Sequence, residues 1–175
     1  MSPRSTVGVV VLGNKSTGKS HFISQLQKNI NNNSKGNHNM RNELFKEAIE
    51  IKEVEDEYTD VTKTFSIAKI MIILFSVDSQ ESLKDSPRWI GFGDHYMSTP
   101  YLKFLIGNKS DIKNRAVKQD DAKDVAAKCN AFYLEVSSLT SGGIQEVVDI
   151  ISLEYFTFLK TSTTVLNSRN ACVIV

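Results

Sequence analysis

The chain has 175 residues, enough to bury the core of one domain and too few for two comfortable ones. A formal net charge of +1, from 21 basic and 20 acidic residues, excludes the broad basic footprint of a nucleic-acid surface, so no nucleic-acid partner is expected. The two cysteines, Cys129 and Cys172, lie far apart, which suits a reducing compartment better than a structural disulfide, and with Met1–Thr6 carrying no apolar stretch neither a signal peptide nor a membrane-spanning helix is expected.

The apolar run Val7–Leu12 reads as a first strand, and Phe22, Ile23, Leu26 and Ile30 recur at helical spacing over His21–Ile30. Between them stand Gly13, Asn14, Lys15, Ser16, Thr17, Gly18, Lys19 and Ser20, the pattern G-x-x-x-x-G-K-[ST]. A phosphate chain is wrapped only where several backbone N–H groups point into one concavity, and the two glycines let the chain turn back and approach it closely. The helix beginning near Gly18 adds its unpaired N–H groups and positive dipole end. Lys19 supplies a mobile cation for the outer phosphates, and the Ser20 hydroxyl is a ligand for Mg²⁺.

Asn29–Asn39 is Asn-rich and is expected to form a mobile loop, in which His38 is a solvated histidine without metal-ligand neighbours. A short strand is predicted around Ala48–Lys52, followed by an acidic run, Glu53, Glu55, Asp56 and Glu57, that reads as a solvated face. Ile70–Val77 is apolar on both faces, as a central parallel strand should be. Asp78 is then expected to cap a helix, with Glu81 three residues on; Leu83, Trp89, Ile90 and Phe92 pack it, and Gly91 and Gly93 break it. Tyr101–Gly107 is the next buried strand, Asp120–Lys128 an amphipathic helix and Ala131–Val136 the last strand. A final helix over Gly143–Leu159 carries Ile144, Val147, Val148, Ile151 and Leu153 on its buried side.

Strands alternating with helices behind a phosphate loop predict an α/β fold: a doubly wound, mostly parallel sheet with helices on both faces and the site at the carboxyl ends of the strands. Asn108, Lys109 and Asp111 directly follow one buried strand. A carboxylate there accepts from the ring N1–H and exocyclic amine of guanine, a donor pair that adenine lacks. Asn108 can tie this loop to the phosphate loop, and the stem of Lys109 can cover the base. Ser137, Ser138 and Leu139 open the turn after the last strand, where backbone N–H groups can meet the base oxygen.

These three loops, in this order, resemble the Ras-like small GTPases, and the stretch from Ile72 to Ile151, with Val77–Ser82, Gly107–Asp111 and Glu135–Ser138, looks most like the Rab branch. The resemblance covers residues 6–24 and 66–159 and the C-terminus. It implies a P-loop small-GTPase domain over residues 1–160, GTP or GDP with Mg²⁺ as cofactors, effector and exchange proteins as partners, and a role in vesicle traffic. Residue by residue, it carries Gly13, Gly18, Lys19 and Ser20 to phosphates and Mg²⁺, Asn108, Lys109 and Asp111 to guanine, and Ser137 and Ser138 to the base-closing loop.

The pattern departs from the family in the switch regions. No Thr occurs between His21 and Glu57 to meet Mg²⁺, and no D-x-x-G occurs anywhere in the chain. An ungapped alignment back from Val77 puts Glu50 where the family has its Asp, Glu53 in place of the γ-phosphate-binding Gly and Val54 in place of the water-orienting Gln. Lys15 stands where the family usually has a small residue. No catalytic residue is therefore assigned, and GTP hydrolysis is expected to be weak or absent. A scaffold that does not cycle nucleotide and an ATP-using P-loop kinase stay open as alternatives, the second opposed by Asp111. Residues 161–175 read as a flexible tail, Thr161–Asn170 being a polar linker before Cys172-Val173-Ile174-Val175, a C-a-a-X box. Prenylation of Cys172 and lipid anchoring to the cytosolic face of a membrane follow from it.

Overall fold

The computed structural model describes residues 6–33, 48–54, 62–97 and 100–170. Among the described residues eleven elements follow one another: β1 (Thr6–Leu12), α1 (Lys19–Asn33), β2 (Ala48–Glu53), α2 (Thr62–Ile67), β3 (Ala68–Ser76), α3 (Gln80–Lys84), α4 (Ser86–Tyr96), β4 (Leu102–Asn108), α5 (Gln119–Lys128), β5 (Phe132–Glu135) and α6 (Ile144–Asn170). The strands form one sheet in the order β2-β1-β3-β4-β5, and every pairing among them is parallel.

Side chains alternate across a strand, so each central strand feeds two cores. Val7, Val9 and Val11 of β1 join Ile70, Ile72 and Leu74 of β3 beneath α1 and α6, where Phe22, Leu26, Val147 and Ile151 cover them. Val10 and Leu12 join Met71, Ile73 and Phe75 on the opposite face, covered by Phe65, Leu83, Trp89 and Ala122 from α2, α3, α4 and α5. Burial on both faces is what the unbroken apolar run of β3 demanded, and the doubly wound expectation is met. From β1 the chain leads outward to β2 and then back across to β3, so the sheet has its switch point between β1 and β3. The crevice at their carboxyl ends is where such sheets bind ligands.

Several local expectations give way. Asn29–Asn33 extends α1 instead of opening a loop, because Ile30 continues the stripe that packs on the sheet; His38 lies outside the described residues. Ser79, not Asp78, caps α3, its hydroxyl accepting from the Ser82 N–H at 3.3 Å. The single helix expected after it is two, divided at Asp85. Gly91 and Gly93 lie inside the second, where Gly93 lets α4 come down onto Met71: a Cβ there would stand 2.0 Å from the Met71 sulfur. In α6, Leu153 is 49% exposed while Tyr155 is buried. Leu153 is nine positions beyond Ile144, and at about 100° per residue that is half a turn out of phase with the buried stripe. The helical backbone runs on past Leu159 to Asn170, through the segment expected to be linker. Among the described residues no helix is long and apolar enough to cross a membrane.

Candidate nucleotide-binding site

Three loops meet at the switch point, and their backbone is shaped for it. Gly13 has φ 142° and a Cβ there would lie 2.1 Å from the Leu74 carbonyl oxygen; Gly18 has φ 90° with the Asn108 amide 2.5 Å from its missing Cβ. Both positions exclude a side chain on conformational and steric grounds. Ser16 at φ 64° completes the turn, and the Phe22 N–H to Gly18 carbonyl bond, 2.9 Å, closes the first turn of α1. The Thr17 hydroxyl donates to the Asn14 carbonyl at 2.9 Å, cross-linking the loop from inside, while Lys15 and Ser16 are exposed at its tip.

Lys19 is 6% exposed, so it is less mobile than its residue type suggests. Its ammonium donates to the Gly13 carbonyl at 2.9 Å and the Asn14 carbonyl at 3.1 Å. The loop thus holds its own cation at the mouth of the concavity.

Asn108, at the end of β4, joins all three loops. Its Nδ2 donates to the Thr17 carbonyl at 2.8 Å, and its Oδ1 accepts from the Ser138 N–H at 3.0 Å and the Ser138 hydroxyl at 2.9 Å. The Ser110 N–H adds a bond to the Val136 carbonyl, and the Ser137 hydroxyl donates to the Asp111 carboxylate. Lys109, at φ 66°, sends its ammonium back to Asp78, 3.2 Å away. The hydroxyl of Ser76 above all, with Lys109 adding to it, holds the Asp78 carboxyl below its usual range against the opposing effect of burial. Leu139 is 75% exposed at the rim of the third loop. Of the residues singled out in sequence, Gly13 to Ser20, Asn108, Lys109, Asp111 and Ser137 to Leu139 all fall at this one sheet edge; Cys172 lies outside the described residues.

Residues 8–156, most of the chain, match the Ras family. The chain belongs to the Ras family. It is 24% identical over 160 residues to the Ras-related protein RABA5c of Arabidopsis thaliana, covering 85% of this chain and 75% of that one. To the Ras-related protein Rab11D of Nicotiana tabacum it is 24% identical over 160 residues, 85% of this chain and 72% of that one. Over a shorter stretch of 77 residues it is 36% identical to the GTP-binding protein YPT1 of Saccharomyces cerevisiae, 43% of this chain and 37% of that one.

In this Ras-family chain the structure revises the acidic run. Glu53 is no solvated face residue: its carboxylate accepts from the Ser20 hydroxyl at 2.8 Å and lies 3.7 Å from the Lys19 ammonium. Pairing with β1 places Glu53 opposite Val11, at the rim of the site, and Glu50 opposite Gly8, about 10 Å lower along the strand. Glu50 pairs with Lys52 at 3.3 Å, so it is Glu53 that stands beside the phosphate loop, and the ungapped alignment is corrected by one full triplet. The rule that strand ends face the ligand could have found Glu53; the charge-run reading hid it. Glu55, Asp56 and Glu57 lie outside the described residues. Ser20 and Glu53 are hard oxygen donors and fit a magnesium ion. Among the described residues no cluster of three or more His, Cys, Asp or Glu side chains gathers.

Sequence reasoning also missed what holds the site from behind. The Asn14 side chain turns away from the concavity, its Nδ2 donating to Asp85 at 2.7 Å and its Oδ1 accepting from the Trp89 indole N–H at 2.6 Å. At the other end, Arg115 clamps Glu135 with both terminal guanidinium nitrogens, one bond measuring 2.8 Å, and Tyr133 and Gln119 donate to the same carboxylate. Burial pushes the Glu135 carboxyl up, but these donors outweigh it and bring it down to about 2. The clamp fixes the end of β5 from which Ser137 and Ser138 depart.

Proposed function

We propose that this chain binds GDP and GTP in the crevice between the phosphate loop, Asn108–Asp111 and Ser137–Leu139, and acts as a Rab-type protein in vesicle traffic. The observation that carries the reading is Asn108, one buried amide bonded to both the phosphate loop and the base-side loop, which makes the crevice a single ligand site. Asp111 takes the guanine ring and amine protons, with the Ser137 hydroxyl orienting its carboxylate. Lys109 and Leu139 flank the purine with aliphatic carbon. Lys19 and the backbone N–H groups of Gly13–Ser20 take the phosphates. Magnesium, when bound, would offset phosphate charge, held by Ser20 and Glu53. Resemblance to the Rab branch supports the traffic reading, and the residues Cys172-Val173-Ile174-Val175 support attachment to the cytosolic face of a membrane through a prenyl group on Cys172.

Hydrolysis of GTP is slow or absent on this reading, because the sequence offers neither a switch Thr nor a D-x-x-G followed by Gln to order the γ-phosphate and orient water. Titration of the nucleotide-stripped chain with fluorescent GDP, competed by GTP and by ATP, tests the binding. Competition by GTP but not ATP is expected, and equal competition or no binding overturns it. Single-turnover hydrolysis at a rate usual for small GTPases would overturn the second part alone.

A further inference from the structure

Asp85 occupies the N-cap of α4, where a carboxylate ordinarily accepts from a backbone N–H of the first turn, yet it makes no such bond. Its carboxylate reaches 71 residues back along the chain to the Asn14 amide at 2.7 Å. Trp89 is 5% exposed, and a buried indole N–H requires an acceptor; it finds one in the same amide, 2.6 Å away at Asn14 Oδ1. Both ends of the Asn14 side chain are therefore committed to the start of α4. The peptide that this amide anchors carries the carbonyl to which Lys19 and the Thr17 hydroxyl both donate.

We infer that Asp85 and Trp89 are positioning residues for nucleotide: through the Asn14 amide they fix the peptide whose carbonyl aims the Lys19 ammonium, and so set how tightly the phosphates are held. The inference rests on the guanine-nucleotide reading above. The side-chain hydrogen bonds of both residues run to Asn14, and it is through Asn14 that each acts on this inference. A core role for Trp89 would need its ring but not its N–H. A capping role for Asp85 would need its carboxylate on the helix, where it is not.

The test reverses the polarity of one hydrogen bond in the full chain, stripped of nucleotide and titrated with fluorescent GDP in magnesium. Asn14→Asp sets carboxylate against carboxylate and should weaken binding about thirtyfold, the loss of one charge-assisted bond together with repulsion. Asn14→Asp combined with Asp85→Asn re-forms the amide–carboxylate pair the other way round and should recover affinity to within about fivefold of wild type. Trp89→Phe removes the donor and shrinks the ring; GDP release should be about fivefold faster, with the thermal midpoint lowered by the lost packing. A double variant no tighter than Asn14→Asp alone, in a wild-type chain that binds GDP, overturns this inference and leaves the guanine reading standing. A wild-type chain that does not bind GDP overturns both. Where Asn14→Asp does not fold, Trp89→Phe decides against Ile90→Val, a core truncation in the same helix that leaves the indole N–H in place: faster release in the first alone supports the inference, and release at the wild-type rate, or equally fast in both, overturns it.

Discussion

Replacing Asn108 by Ala tests the join between the three loops. The side chain is 2% exposed and makes three hydrogen bonds, of 2.8, 2.9 and 3.0 Å, to Thr17 and Ser138. Truncation leaves the Thr17 carbonyl and the Ser138 N–H without partners in a place that water does not reach, each at about 1–3 kcal/mol, while the Ser138 hydroxyl can rotate to another acceptor. The expected loss is about 2–6 kcal/mol. For a domain of this size, about 2–4 °C of thermal midpoint accompanies each kcal/mol, which predicts a fall of roughly 4–24 °C. Urea unfolding gives the free energy directly, and a slope unchanged from wild type confirms that the loss is of stability. Asn108→Asp is the informative companion: it keeps both acceptor contacts with Ser138 but points a carboxylate at the Thr17 carbonyl, so it should lose at least as much. GDP affinity should fall by roughly a hundredfold or more in either variant, since the loops then have to be ordered by the ligand itself. A loss under about 1 kcal/mol in Asn108→Ala, or GDP affinity equal to wild type, would refute the claim that this amide makes one site of three loops.

Two further outcomes follow from the same geometry. Glu53→Gln keeps shape and removes charge, so the magnesium concentration for half-maximal GDP retention should rise by roughly tenfold, and an unchanged magnesium titration would exclude Glu53 from the ion's surroundings. The Glu135 carboxyl sits at about 2 in the folded chain against an unfolded value near 4.5, so its contribution to stability is present above about pH 4.5 and disappears as pH falls toward 2. Glu135→Gln should therefore be less stable than wild type at neutral pH, by about 1 kcal/mol after solvent screening, and the two should converge in acid. A constant difference between pH 7 and pH 3 in urea unfolding would rule this out.

Much of the site was legible because it is locally encoded. The phosphate loop must turn with Gly13 and Gly18 in conformations and contacts that only glycine fits, and that requirement is written in eight consecutive residues. A strand apolar on both faces, Ala68–Ser76, announces a covered parallel sheet, and the strand-end rule then puts Asn108 and Ser137 at the same edge. Helix boundaries were less legible. Leu153 and the division at Asp85 depend on phase and capping geometry that several neighbouring residues could have satisfied equally well.

The sequence by itself determined the phosphate-loop motif, a carboxylate at Asp111 that we propose reads guanine, and a doubly wound sheet that brings the two loops to one edge. Each of these is specified by residue type at short spacing, where backbone sterics and side-chain alternation leave few options. Tertiary structure alone decided that Glu53 rather than Glu50 meets Ser20, and that Asn14 answers to Asp85 and Trp89. The first depends on the register of a parallel strand pair, in which a shift of three residues moves a carboxylate about 10 Å. The second joins positions 71 and 75 residues apart, which meet only because burying both faces of the sheet brings the start of α4 up behind the phosphate loop.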